Sequence, residues 1–386
     1  MQEPVPEPMQ QRHVFLTGAT GTIGSALVPR LLQEPGTQLR LLIRAGSDEA
    51  LAPRLAAMLA YWGLRPGEGA AVRIQALRGD IVQPGFGLGE ADRLRLLADT
   101  THIIHCAASV NLNLTLERAR ATAVGPTRTV LELARLGLQS GRLRKIDFVS
   151  TVGVWGRSPG VMPERPLPDV TDFHNTYEAA KAEAERLVWA EGGGLPITVH
   201  RPSMVVGEAG SGRVIHFQVF YHLCEFLSGA RTFGVMPELG QTRLDTVPVD
   251  WVARAIDWSS RHPDTAGRIF HLCSGPAGAI GLSALQERVR SLWRARGRRL
   301  PALRQVNRRL LQRLVPVIGS VVGAKARRAL RGLPPVLEYL AEDQAFGNRE
   351  SAPMLAAAGL PVPASDDYLD TVLAYYLDAR GAREAA

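Results

Sequence analysis

Tyr177 and Lys181 stand four residues apart in the stretch NTYEAAKAEAERL, Asn175–Leu187. On a helix that spacing puts both side chains on one face, about a turn apart. A phenol that gives and takes a proton must come down from its ordinary pKa of about 10, and a neighbouring ammonium favours its charged form. The lysine can also hold a sugar hydroxyl. Ser150 and Thr151 close an apolar run upstream, where a hydroxyl can hold a substrate oxygen beside Tyr177. The chemistry these types suit is proton transfer at an oxygen bonded to carbon.

A second set of residues says what works with that proton. His13–Thr17 reads as a short buried strand running into Gly18–Ala19–Thr20–Gly21–Thr22–Ile23–Gly24. Glycines at that spacing let the backbone approach a pyrophosphate and set it at a helix N-terminus. The two sets together point to a nicotinamide dinucleotide. About 20 residues beyond the glycines an NAD-binding chain places an acidic residue on the ribose 2′-hydroxyl. Here that place holds Arg44, which suits a 2′-phosphate through paired hydrogen bonds and predicts NADPH. Asp80 and Ile81 follow the third strand, where the aspartate can accept from an adenine amino group; a plain turn aspartate after Gly79 explains it equally. Cys106, Ala107 and Ala108 offer small side chains where a ribose must pass closely.

These residues need a scaffold that brings strand ends together. Strands are expected at His13–Thr17, Leu39–Ile43, Val72–Leu77, His102–His105, Ile146–Ser150, Ile197–His200 and Arg268–Leu272. Helices are expected at Ile23–Leu32, Asp48–Tyr61, Leu114–Leu138 (with a break near Gly125–Pro126), Thr176–Ala190, Val214–Leu227 and Asp250–Ser259, the last capped by Asp250. Strands alternating with helices give an α/β fold with a doubly wound parallel, Rossmann-type sheet. The expected organisation is a leader over residues 1–11, an NADP-binding domain over 12–210 and a smaller, mainly helical substrate lobe over 211–386. Residues 244–275 return to the Rossmann core.

The chain has 386 residues, 46% of them hydrophobic, and a net charge of +8. Three scattered cysteines make neither a disulfide framework nor a metal site and fit a reducing cytoplasm. Met1–Gln11 lacks the apolar core of a signal peptide, and no stretch reaches the roughly 18 apolar residues of a membrane span. The positive charge, concentrated in arginines between Arg288 and Arg328, attracts anions. No recognition motif accompanies it, so nucleic acid is not an expected partner; CoA phosphates, an acidic carrier or peripheral contact with an anionic membrane are. Leu314–Ala324 is apolar but short and broken by Pro316, and reads as buried or interfacial. His216 and His222 read as helical core or lining residues.

Taken in order, Thr17–Gly24, His105–Ala108, STVGVWG (Ser150–Gly156), Tyr177–Lys181 and RPSMVVG (Arg201–Gly207) resemble an extended short-chain dehydrogenase/reductase over about residues 13–275. GDIVQPG (Gly79–Gly85), IHCAASV (Ile104–Val110) and NTYEAAKAEAERL resemble the thioester-reductase and fatty acyl-CoA reductase branch, the male-sterility-type reductases. The resemblance implies Thr151, Tyr177 and Lys181 as a catalytic triad and Arg44 as the reader of NADPH. It places Pro202 and Ser203 at the nicotinamide end. It implies hydride transfer to an acyl thioester borne on CoA or on the phosphopantetheine of a carrier protein, giving an aldehyde and then an alcohol if a second hydride follows. Members of that branch occur as monomers or dimers. Two other readings stand beside it. One is an extended short-chain reductase of a free carbonyl or hydroxyl (a sterol, a ketone or a nucleotide sugar). The other is a cofactor-binding protein without turnover, which would have no need of all three triad residues.

Overall fold

The computed structural model describes residues 11–306 and 344–385. The first half alternates strand and helix: β1 (Arg12–Thr17), α1 (Thr22–Leu31), β2 (Thr37–Ile43), α2 (Asp48–Tyr61), β3 (Ile74–Arg78), α3 (Glu90–Asp99), β4 (His102–His105), α4 (Leu116–Gln139) and β5 (Lys145–Val149). After β6 (Gly160–Met162) come α5 (Thr176–Glu191), β7 (Ile197–Pro202), β8 (Met204–Val206), α6 (Val219–Leu227), β9 (Val235–Pro237), β10 (Arg243–Leu244) and β11 (Thr246–Pro248). Then follow α7 (Val249–Ser260), β12 (Ile269–Leu272), α8 (Gly275–Gly278), β13 (Ile280–Gly281), α9 (Leu282–Ala295), β14 (Arg304–Val306), β15 (Gln344–Phe346), α10 (Ser351–Ala357) and α11 (Leu369–Ala385).

Seven strands form one parallel sheet in the order β12-β7-β5-β4-β1-β2-β3. The chain winds outward from β1 in both directions, so the order reverses between β1 and β4, and the C-terminal strand ends diverge there into a crevice. Helices cover both faces, which is why the strands read as continuous apolar runs. Along β1, Val14 and Leu16 point into the layer shared with α1 and α7, and Phe15 into the layer shared with α4 and α5. The α4–α5 contact is lined by Ala119, Ala123, Ala180 and Ala184, small residues that let the two helices close tightly and seat α5 over the sheet.

Two prolines are absorbed where they fall. Pro29 cannot donate to the carbonyl of Ser25, and the Trp62 indole N–H takes that carbonyl instead at 2.8 Å. Pro126 lies inside α4, which runs unbroken through Gly125–Pro126 instead of breaking there. Asp250 does not cap its helix: α7 starts at Val249, and Asp250 accepts from the Ala209 N–H at 2.9 Å. The expected helix over Val214–Leu227 begins only at Val219. Helix α3 was not expected: only Leu96 in it is buried, and its other leucines are exposed or half-buried.

α6, α9 and α11 enclose a separate apolar cluster built on Phe220, Tyr221, Leu285, Trp293, Leu373 and Tyr376. Within 211–386, α7, β12, Leu355 and Leu360 pack in the Rossmann layers, and β15 pairs with β6 in a separate two-stranded sheet. The Met1–Gln11 leader apart from Gln11, the Leu314–Ala324 segment and the arginines from Arg308 to Arg328 lie outside the described residues.

Candidate active site

A cavity of about 660 Å³ opens at the C-terminal ends of β1, β2, β4, β5 and β7. Its floor is the turn between β1 and α1. Gly18 has φ +80°, and a Cβ on it would sit 2.8 Å from the Ala107 nitrogen. A Cβ on Gly24 would sit 2.1 Å from the Gly18 carbonyl oxygen. The turn can close against the strand ends only with hydrogen at both positions. α1 begins at Thr22 with no side chain capping its first turn, so its N–H groups and the positive end of its dipole are left for an anion in the cavity. Those are the requirements of a dinucleotide pyrophosphate.

Thr20, Gly21, Thr22 and Ile23 line this end, with Ala107 across from them and Asp80 and Ile81 beyond β3. Asp80 Oδ1 accepts from the Val82 N–H at 3.2 Å in an Asx turn, and the residue lines the cavity. Arg44 stands exposed at the end of β2, and a second arginine, Arg54 of α2, lines the same part of the wall. Pro202, the last residue of β7, and the buried Ser203 after it close the opposite side, with Ser203 within hydrogen-bonding reach of Asp245.

Thr151 follows β5, its Oγ1 accepting from the Gly153 N–H at 3.2 Å. Asn175 caps α5 through the Glu178 N–H, which fixes the helix start and projects Tyr177 into the cavity. The Tyr177 hydroxyl shares a hydrogen bond with Thr151. Desolvation nevertheless pushes the phenol up to about 12. The expected lowering by Lys181 is not what the geometry holds. The Lys181 ammonium is buried, donates to the Val149 carbonyl at 2.7 Å and lies 4.9 Å from the Phe148 ring centre. Burial brings it down to about 8. Ser150 turns away, donating at 2.6 Å to Glu185, which is paired with the fully buried Arg201. That buried network holds the end of β5 to α5 and so sets Thr151 against Tyr177.

Every residue selected from the sequence as catalytic or cofactor-binding lines this one cavity. Others in the wall carried no local signal. Gln218, just before α6, donates to Thr22 Oγ1 at 2.8 Å and ties the lobe to the glycine turn. Asp245 accepts from the Ser274 and Gly275 N–H groups at 2.8 and 3.0 Å, and desolvation pushes its carboxyl up to about 6. His216 is in the wall and His222 is exposed on α6, outside it. Burial raises the Cys106 thiol far above its ordinary value, so the thiol has no nucleophilic form at neutral pH. Among the described residues no cluster could hold a metal, and no helix is long and apolar enough to cross a membrane.

Residues 16–256 match the male sterility protein family. The chain belongs to that family. Its match covers the run from the glycine turn through α5 and most of α7, and with it every lining residue of the cavity but Gln344 and Phe346. The family and its fold make the protein an NAD(P)-dependent oxidoreductase of the extended short-chain dehydrogenase/reductase type. Over 264 residues it is 33% identical to the isonitrile lipopeptide synthase of Streptomyces coeruleorubidus, a match covering 67% of this chain and 17% of that one. It is 28% identical to the L-2-aminoadipate reductase of Schizosaccharomyces pombe over 69% of this chain and 19% of that one. The chain thus spans about a fifth of the length of these relatives. The terminal R domain of the myxalamid biosynthetic pathway superposes with a TM-score of 0.79 at 27% identity, covering 99% of this chain and 92% of that one.

Proposed function

We infer that this protein reduces an acyl thioester with NADPH, releasing a thiol and an aldehyde. The observation that carries the reading is one continuous cavity in a chain of this family. A cradle for a dinucleotide lies at one end of it, and the Thr151–Tyr177 hydrogen bond stands at the other. Relatives named as reductases and as peptide synthases, with a terminal R domain among the solved structures, support a thioester on a carrier as the substrate class.

Gly18, Gly21 and Gly24 with the start of α1 would hold the pyrophosphate, and Arg44 with Arg54 the 2′-phosphate that distinguishes NADPH. Asp80, Ile81 and Ala107 would border the adenosine half, Pro202 and Ser203 the nicotinamide. Bound there, the cofactor supplies hydride to a carbonyl carbon. Thr151 and Tyr177 hold the carbonyl oxygen, and stabilising the charge that grows on it is their main contribution. With its phenol near 12, Tyr177 remains a donor throughout the neutral range, and it hands its proton to that oxygen as the charge develops. Lys181 gives its remaining N–H donors to the ribose. The tetrahedral adduct then expels the thiol, leaving the aldehyde; a hydride from a second NADPH, with the same proton transfer from Tyr177, would give the alcohol.

The test is NADPH oxidation by purified protein with acyl-CoA, acyl-carrier, a matching aldehyde and a ketone, each repeated with NADH and each assayed for free thiol. Thiol release matched to NADPH oxidation is the expected result. Turnover of the aldehyde or ketone alone would move the protein to the reduction of free carbonyls.

A further inference from the structure

The cavity carries cations at both ends. Arg44 and Arg54 stand where β2 ends. Arg243 of β10 stands two residues before Asp245, which is tied to the turn after β12. From β2 to β7 the sheet takes four inter-strand steps, roughly 19 Å at about 4.8 Å each. A single 2′-phosphate accounts for the first end and not for the second. Arg243 is exposed and in the cavity wall. Its guanidinium donates to the carbonyls of Ala277, at 3.2 Å, and Ala279, and among the described residues it makes no ion pair. Two carbonyls aim the group without neutralising it, and the remaining donors of the planar fork match the oxygens of a phosphate. Met204, Val205, Leu244 and Phe346 give the cavity wall apolar surface, suited to the methyl and methylene groups of such an arm.

We propose that Arg243 binds the phosphate of the phosphopantetheine arm that carries the acyl thioester. The proposal rests on the thioester reading and adds the residue that sets how far the arm enters. The arm has its phosphate at one end and its sulfur at the other. A cation fixed at the mouth therefore holds the thioester at a set depth, beside Thr151 and Tyr177. The same phosphate occurs on CoA and on a carrier protein.

The experiment measures kcat/KM of wild type, Arg243→Ala and Arg243→Lys with three substrates of one acyl group: acyl-CoA, acyl-carrier and the phosphate-free acyl-pantetheine. NADPH titration by fluorescence checks that each variant is folded. Losing a hydrogen-bonded charge pair is expected to lower kcat/KM for both phosphate-bearing substrates, relative to acyl-pantetheine, by about tenfold or more. The loss should fall chiefly in KM, and Arg243→Lys should restore part of it. An equal loss on acyl-pantetheine overturns the assignment and leaves thioester reduction standing. A loss confined to acyl-carrier also overturns it, because Arg243 would then be contacting the carrier's surface. Wild type inactive on all three thioesters removes the thioester reading and this proposal together.

Discussion

Replacing Lys181 by methionine should stabilise the fold at neutral pH while abolishing turnover. The side chain is 3% exposed; its ammonium donates to the Val149 carbonyl beside the face of Phe148, and the charge of Glu185, itself paired with Arg201, offsets the burial only in part. Burial lowers the group from 10.5 to about 8. At 1.36 kcal/mol for each pH unit, keeping it charged in the folded chain at pH 7 costs about 3 kcal/mol. Methionine removes that charge and keeps most of the volume, but strips the Val149 carbonyl of its donor, a loss of about 1–2 kcal/mol. The variant should therefore be the more stable by roughly 1–2 kcal/mol at pH 7. The pH dependence has a definite sign. The folded value is the lower one, so between about 8 and 10.5 the unfolded chain holds a proton the folded chain has released, and wild-type stability rises through that window. The advantage of the variant is largest below pH 8 and closes as pH approaches 10. Urea unfolding followed by fluorescence at pH 7 and pH 9.5, with NADPH oxidation on the same preparations, reads both effects. A variant less stable than wild type at pH 7, or an advantage that widens with pH, would refute the reasoning.

Four further outcomes are expected. Tyr177→Phe should bind NADPH as wild type does and lose turnover by about 10²–10⁴-fold; retained turnover would remove Tyr177 as the proton donor. The wild-type rate should show an alkaline limb near 8, where Lys181 loses its charge, and none near the ordinary phenol value of 10, since Tyr177 sits at about 12. Gly24→Ala should abolish NADPH binding and lower the melting temperature, because the new methyl meets the Gly18 carbonyl at 2.1 Å; calorimetric titration showing wild-type affinity would contradict that. Arg44→Asp should shift preference from NADPH towards NADH, and Arg54→Ala should add to the shift. Unchanged selectivity in the double variant would mean that another group reads the 2′-phosphate.

The inner strands of the sheet were legible because they are buried on both faces and read as apolar runs such as HVFLT and HIIH, which end at Gly18 and Cys106; the edge strand β3 is only partly buried. The crevice followed from the alternation, since a doubly wound sheet brings its strand ends together wherever its loops go. Tyr177 and Lys181 were visible through helical spacing alone. What spacing could not show was where the Lys181 ammonium points: the carbonyl it finds belongs to Val149 on another element, and the phenol it was expected to tune is governed by desolvation. Gln218, Asp245 and Arg243 reach the cavity through β10, β11 and the approach to α6, elements too short or irregular to carry a period. Arg54 was hidden differently, as one polar residue among several on α2, and only the fold shows that it faces Arg44's end of the wall. Helix α3 carries Leu94, Leu96 and Leu97, but only Leu96 is buried, so its apolar residues mark no buried face.

The central claim is that hydride reaches the carbonyl carbon of a thioester while Thr151 and Tyr177 attend its oxygen. The most direct measurement supplies deuterium-labelled NADPH with an acyl thioester and follows product mass and free thiol together, in wild type and in Tyr177→Phe. The account predicts deuterium on the former carbonyl carbon, thiol release matched to it in the first turnover, and loss of both in the variant. Deuterium entering only an added free aldehyde or ketone, with no thiol released from the thioester, would contradict it.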